Sequence, residues 1–290
     1  MKNNFGIDIG LKNIKTSLRN KEGKIKSSKI NSLLLISTKD SFLFEGKRYK
    51  IDKNINHNSN GVIKLEKYSD LEKYSPIFIW NFIKENNINI EDINYLSIGL
   101  SFAYLKEADS FLKRISKFKI DNLDIDLTKK IILIPQGVGA KYTIERIYKN
   151  IPKNYLIIDI GLYNLDIIKV INNNVNPNNI IIKEGFGTIK LLRNIQEFIY
   201  IKLKKQINIF EANDILLKND KDLIDLEKMM EEYSNYLYDF LEILLKNKYQ
   251  KIFFVGGGAY YMKKINEKME ILKKSEYSNS IGNLIKAEEI

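Results

Sequence analysis

One short stretch occurs twice, about half a chain apart, and it limits what this chain can fold into more than any other feature. The first copy is Phe5-Gly6-Ile7-Asp8-Ile9-Gly10-Leu11-Lys12-Asn13-Ile14-Lys15 and the second is Leu156-Ile157-Ile158-Asp159-Ile160-Gly161-Leu162-Tyr163-Asn164-Leu165-Asp166. Ile-Asp-Ile-Gly-Leu-x-Asn is common to both without a gap. Each copy begins as an apolar strand, breaks at Asp-x-Gly and resumes as a second apolar strand. That is the pattern of a β-hairpin whose turn carries a carboxylate and a glycine. Two such hairpins imply a duplicated fold with a ligand between its halves.

Length and composition narrow the function classes. At 290 residues the chain can hold one large domain or two medium ones. It contains no cysteine, which excludes disulfides and thiolate metal sites. Its single histidine, His57, excludes His-cluster chemistry and falls in an Asn-rich stretch that reads as a solvated loop. Met1-Lys2-Asn3-Asn4 runs straight into an apolar strand, so no signal peptide is expected. No apolar run is long enough to span a bilayer, so no membrane contact and a cytoplasmic location are expected. The net charge of +11 is open to two readings, phosphate neutralisation on nucleic acid or a compositional bias. The lysines are scattered rather than gathered in one block, which favours bias.

Read in order, the chain alternates strands and helices, as an α/β protein does. Hairpin 5–18 is followed by a strand near 24–30. A small, mostly β insertion covers about 31–70, with a hairpin around Glu45-Gly46 and an exposed loop 52–61. Ser75-Pro76 is expected to open a helix, as N-cap and first-turn proline. A strand 95–100, a helix 104–118, a strand 131–134 and a helix 140–148 complete the first half. The second half repeats the scheme: hairpin 155–171, a polar turn 172–179, strand 180–183 and helices 189–204 and 211–218. An amphipathic helix follows around Tyr233–Leu244, its apolar stripe reading as core. Strand 252–255 and a helix 260–272 come next, and 281–285 forms a short strand or a final helix. The expected domains are 1–154 and 155–275, with 276–290 returning to the first.

Asp-x-Gly turns suit polyphosphate and magnesium. The glycine lets backbone N–H groups approach phosphate oxygens, and the carboxylate acts through Mg2+ or its waters. Lys15 is either an exposed strand residue or a cation reaching back to a phosphate. Val255-Gly256-Gly257-Gly258-Ala259 adds a strand, three glycines and an expected helix N-terminus, which would set bare backbone against a ligand. It is neither a Walker A nor a Rossmann fingerprint.

Asp8-Ile9-Gly10, Asp159-Ile160-Gly161 and Gly256-Gly257-Gly258 resemble the phosphate-1, phosphate-2 and adenosine motifs of the actin/heat-shock-ATPase/sugar-kinase superfamily. Within it the chain looks most like bacterial actin-like proteins of the ParM type. Segments 42–51, 74–77, 98–101 and Ile134-Pro135-Gln136-Gly137-Val138-Gly139-Ala140 support that match. The resemblance implies an actin-like fold of two related α/β domains around a nucleotide cleft. It implies ATP or GTP, Mg2+, head-to-tail filaments of the chain with itself, and hydrolysis coupled to polymerisation. It further implies plasmid or other DNA-element segregation, in which a DNA-bound adaptor protein makes the DNA contact indirect.

Carried over by position, Asp8 and Asp159 would orient Mg2+ through water, as catalytic residues alongside Gln136. Gly10, Leu11, Lys12, Asn13, Lys15, Gly161, Leu162, Tyr163, Gly185 and Gly187 would surround the phosphates. Gly256, Gly257, Gly258 and Ala259 would face the nucleoside. Gln136 would position the attacking water; the alternative is a residue that caps the following helix. Two departures stand out. Leu11 and Lys12 occupy places where the family carries Ser or Thr, and Leu162 and Tyr163 stand where it carries Gly and Thr. Hydrolysis is therefore expected to be slow. A non-polymerising phosphotransferase and a degenerate nucleotide-binding adaptor are the competing readings.

Overall fold

Both copies of the repeat fold as tight antiparallel hairpins, each at the centre of a five-stranded sheet. This is seen in a computed structural model, which describes residues 3–52, 55, 60–218, 225–245, 249–263 and 267–290. His57 lies outside the described residues. The chain divides into two units, Met1–Ile147 with Tyr277–Ile290, and Tyr148–Glu276.

In the first unit, β1 (Asn3–Ile9), β2 (Asn13–Arg19) and β3 (Ile25–Asn31) form an antiparallel meander. β4 (Leu33–Ile36), β5 (Phe42–Phe44), β6 (Lys47–Lys50) and β7 (Val62–Lys64) make a separate four-stranded sheet, in the order β5-β6-β4-β7. The β5–β6 turn uses Glu45 and Gly46 at φ 46° and 74°, the left-handed pair a two-residue hairpin needs. Helix α1 (Tyr68–Glu85) leads to β8 (Ile93–Leu100), and α2 (Ala108–Ser116) to β9 (Lys117–Ile120) and β10 (Leu123–Asp126). β11 (Ile131–Pro135) and α3 (Val138–Ile147) follow. The main sheet has the order β11-β8-β1-β2-β3, with β8 and β11 parallel to β1. Its core gathers Phe5, Ile7, Ile9 and Ile14 of the hairpin with Ile77, Phe78 and Phe82 of α1 and Phe111 of α2.

The second unit repeats this order. β12 (Tyr155–Ile160), β13 (Asn164–Ile171) and β14 (Asn174–Glu184) form the meander. Helices α4 (Ile189–Leu203), α5 (Ile209–Lys218) and α6 (Leu226–Leu245) lead to β15 (Ile252–Val255) and β16 (Met269–Ile271). The sheet runs β14-β13-β12-β15-β16, strand for strand the arrangement of the first. Leu226, Met229, Tyr233, Leu237 and Leu241 of α6 are buried at helical spacing, so that stripe is core. Helix α7 (Ser278–Glu288) returns to the first unit and packs on α3, β1 and β8.

Four expectations fail for identifiable reasons. Helix α1 begins at Tyr68, not at Ser75, and Pro76 sits inside it. Asp70 caps the true start by accepting from the N–H groups of Glu66 and Lys67 at 3.1 and 3.2 Å. Leu71 and Tyr74 extend the buried face upstream, which outweighs the roughly 3 kcal/mol of an internal proline. The helix expected over 104–118 is a 3-10 segment followed by a shorter α2. Lys117-Phe118-Lys119-Ile120 alternates out and in and forms a hairpin with β10, turned at Asp121 and Asn122 (φ 50° and 63°). The polar turn expected over 172–179 is only Asn172-Asn173, and the rest is β14. That strand lies at the sheet edge, where Pro177 is tolerated. The helix expected over 260–272 is absent among its described residues. A 3-10 turn Gly257–Tyr261 precedes β16, which pairs with β15; Met269 within that strand and Leu272 just after it are buried.

Candidate functional site

In the first unit, Asp8 is the penultimate residue of β1, just before the turn, and is 2 % exposed. Its partner across the ladder is Lys15, and cross-strand partners share one face of a sheet. Lys15 Nζ lies 3.0 Å from Asp8 Oδ2. Gln136 Nε2 donates to Asp8 Oδ1 at 2.6 Å. A carboxylate only accepts, so Gln136 must offer it the amide N–H, which leaves Gln136 Oε1 for a different donor. Gly99 lies beside Asp8 on β8; a Cβ there would touch Asp8 Oδ1 and Gln136 Cγ at an ordinary 3.4 Å and crowd Asn283 Nδ2 at 3.1 Å.

The first turn is closed by Gly10 N–H donating to Asn13 O at 3.1 Å. Ser32 braces it, its N–H donating to Lys12 O and its hydroxyl to Gly10 O at 2.5 Å. Leu11, Lys12 and Asn13 are half-buried. The second turn copies this: Gly161 N–H donates to Asn164 O at 2.9 Å, and Thr188 donates to Gly161 O from both its N–H and its hydroxyl. Gly185 and Gly187 lie behind that turn, each donating its N–H to Tyr163 O. A Cβ at Gly187 would come within 2.5 Å of Leu162 O, so this glycine is required by packing. Leu162 is half-buried and Tyr163 is exposed.

The two hairpins differ at one decisive position. Where Lys15 faces Asp8, Asp166 faces Asp159. Both aspartates are buried, at 7 % and 9 % exposure. Asp166 Oδ1 has no hydrogen-bond partner. Burial, and secondarily the charge of Asp159, pushes the Asp166 carboxyl up to about 7. Nothing in the Asp-x-Gly motif itself marks Asp166, although its position opposite Asp159 follows from the repeat.

The three glycines after β15 are unequal. A Cβ on Gly256 (φ 81°) would meet Asp159 Oδ1 at 2.3 Å, and one on Gly258 would meet Ile160 Cγ2 at 2.2 Å. Packing against the end of β12 demands both. Gly257 has nothing within 4 Å of its Cβ position, so its bare backbone borders open space. Ala259 is fully buried. The 3-10 turn that follows is too short to supply the helix dipole the sequence suggested. Next to it, Tyr260, Tyr261 and Lys263 join Leu216, Leu226, Glu227 and Met230 around a cavity of about 470 Å3.

Among the described residues, no group of three or more His, Cys, Asp or Glu gathers as a metal site. The Asp159–Asp166 pair, with its orphaned oxygen, suits a hydrated divalent cation. Asp8 instead has both oxygens occupied, by Lys15 and Gln136. No helix among the described residues is long and apolar enough to cross a membrane.

No protein-family model and no curated protein matches the sequence. Solved structures do match. The archaeal actin homolog Ta0583, in complex with ADP, superposes with a TM-score of 0.75 at 15% identity, over 99% of each chain. Bacillus thuringiensis ParM with ATP gives 0.67 at 15% identity, over 99% of this chain and 98% of that one. A non-polymerisable quadruple mutant of pCBH ParM gives 0.67 at 16% identity over the whole of both chains. With two sheets of identical strand order, each centred on an Asp-x-Gly hairpin, the chain has the actin-like fold, which it shares with ParM proteins and an archaeal actin homolog.

Proposed function

We propose that this chain is a nucleotide-dependent, filament-forming protein that binds ATP or GTP with Mg2+, joins copies of itself head to tail, and hydrolyses the nucleotide slowly. The observation that carries the reading is the pair of Asp-x-Gly hairpins on an actin-like fold, each with its aspartate buried at the turn. Neighbours of the same fold were solved with ADP and with ATP, which supports a nucleotide as the ligand.

Lys15 exchanges Asp8 for a phosphate when nucleotide binds, since one ammonium can serve either anion. The N–H groups of Gly10 and Gly161 close their own turns, so phosphate contacts fall to Leu11, Lys12 and Asn13 in one hairpin and to Leu162 and Tyr163 in the other. Asp159 and Asp166 would hold Mg2+ through its waters, and the ion would neutralise phosphate charge. The bare backbone at Gly257 and the cavity beside Tyr260 receive the nucleoside. Gln136, held by Asp8 through its amide N–H, directs Oε1 at the attacking water and aligns it.

Slow turnover follows from the turns themselves. Neither turn carries a serine or threonine, and the two aliphatic hydroxyls nearby, of Ser32 and Thr188, are taken by turn carbonyls. The same fact favours a second reading, a nucleotide-binding adaptor that has lost hydrolysis. The resemblance to ParM supports a role in segregating DNA in the cytoplasm through a DNA-bound adaptor protein, without direct DNA contact. Single-turnover phosphate release and equilibrium nucleotide binding test the assignment. Gln136→Ala and Asp159→Ala are expected to slow release by roughly a hundredfold while affinity falls far less. Unchanged release in both removes them from the hydrolytic site, and a wild type that binds nucleotide but never releases phosphate favours the adaptor.

A further inference from the structure

Gln136 lies between β11 and α3, and the residue at the cap position of α3, Gly137, has no side chain to accept from the helix. Gln136 turns its own side chain to Asp8, so the first N–H groups of α3 need another acceptor. Asn279 of α7 supplies it. Its Oδ1 accepts from Gly137 N–H at 2.8 Å and from Ala140 N–H at 3.1 Å. The residue is 5 % exposed. Gly137, at φ 80°, is the bend that directs Gln136 away from the helix axis. One helical turn further on, Asn283 Nδ2 donates to Ile7 O at 2.8 Å, directly before Asp8. The same face of α7 therefore fixes both backbone segments whose side chains meet at 2.6 Å. Gly139 permits the approach, because a Cβ there would lie 2.5 Å from Asn283 Oδ1 and 2.9 Å from Asn279 O.

We infer that Asn279 is a positioning residue for hydrolysis: by capping α3 from α7 it holds the Gln136 segment where Gln136 can orient water. This rests on the role of Gln136 proposed above, and the experiment separates the two. Asn279→Ala removes the acceptor, Asn279→Asp keeps it, and Thr143→Val cuts a different α3–α7 bond, Thr143 Oγ1 to Ser278 O at 2.6 Å, that does not touch the Gln136 segment. Single-turnover phosphate release from ATP and from GTP is measured beside nucleotide affinity and thermal melting. Asn279→Ala is expected to slow release roughly ten- to a hundredfold with affinity within about threefold, because small misplacements of a reacting group cost rates of that order. Asn279→Asp restores release. Thr143→Val melts lower with release unchanged. In the Gln136→Ala background, Asn279→Ala adds no further slowing, since both act through one group.

If Gln136→Ala slows release and Asn279→Ala does not, the positioning role falls and the role of Gln136 stands. If Asn279→Ala slows release on top of Gln136→Ala, Asn279 does not act through Gln136 and the inference is wrong. If Gln136→Ala has no effect, both fall. Should Asn279→Ala fail to fold, Asn279→Asp and Thr143→Val decide: slow release in a well-folded Asn279→Asp, or equal slowing in Thr143→Val, overturns the proposal.

Discussion

Replacing Asp166 by Asn gives the most quantitative prediction. In the metal-free protein Asp166 is buried against Asp159 and titrates near 7 rather than at 3.8. The folded state thus holds this proton to higher pH than the unfolded chain does. Stability falls as pH rises through that window; the penalty is absent below about pH 4 and complete above about pH 7. A carboxyl pushed from 3.8 to about 7 makes that penalty of the order of several kcal/mol at pH 8 and less than half of that at pH 5. The Asp166→Asn variant cannot ionise, and its amide can donate to Asp159. In EDTA it should be the more stable protein, with a lead about 2 kcal/mol larger at pH 8 than at pH 5, or about 5 °C in melting temperature. Melting curves of both proteins across that range provide the assay. A lead that is independent of pH, or that grows toward acid, would refute the account of the carboxylate pair.

Two further predictions concern glycines. Gly282→Ala should destabilise strongly, by about 3 kcal/mol or more, because its Cβ would sit 1.6 Å from Gly139 O and force α7 from α3; urea unfolding that shows a loss under about 0.5 kcal/mol contradicts that packing. Gly257→Ala should melt like the wild type yet bind ATP or GTP about tenfold more weakly, whereas Gly256→Ala and Gly258→Ala should lose stability first. Equal affinity in a folded Gly257→Ala variant would remove that backbone from the nucleotide site.

Much of the fold could be read from the repeat, because a hairpin is a local event. Its turn residues and its alternation lie within a few positions, and the register Asp8–Lys15 and Asp159–Asp166 follows from a two-residue periodicity. Elements went wrong where a distant partner decides. Pro76 is a stop signal by itself, and only the burial of Leu71 and Tyr74 in the first core overrides it. The segment after Gly258 has a helical composition, yet β15 lacks a neighbour on that side and recruits Met269–Ile271 as a strand. Site residues divide the same way. Asp8, Lys15, Asp159 and the glycines are visible in their own motifs. The Asp8–Gln136 bond joins residues 128 positions apart, and the asparagines of α7 reach segments more than a hundred positions away. No spacing rule reveals either. The glycine run shows the converse error: two of its three members serve packing, and only Gly257 borders open space.

Filament formation tests the central claim most directly. Purified protein is examined by electron microscopy and high-speed pelleting with Mg-ATP, with Mg-GTP and without nucleotide. The account predicts linear polymers that pellet with at least one nucleotide and disperse without it, and that fail to form in Asp159→Ala. Protein that stays in the supernatant and shows no filaments at high concentration with either nucleotide would contradict it.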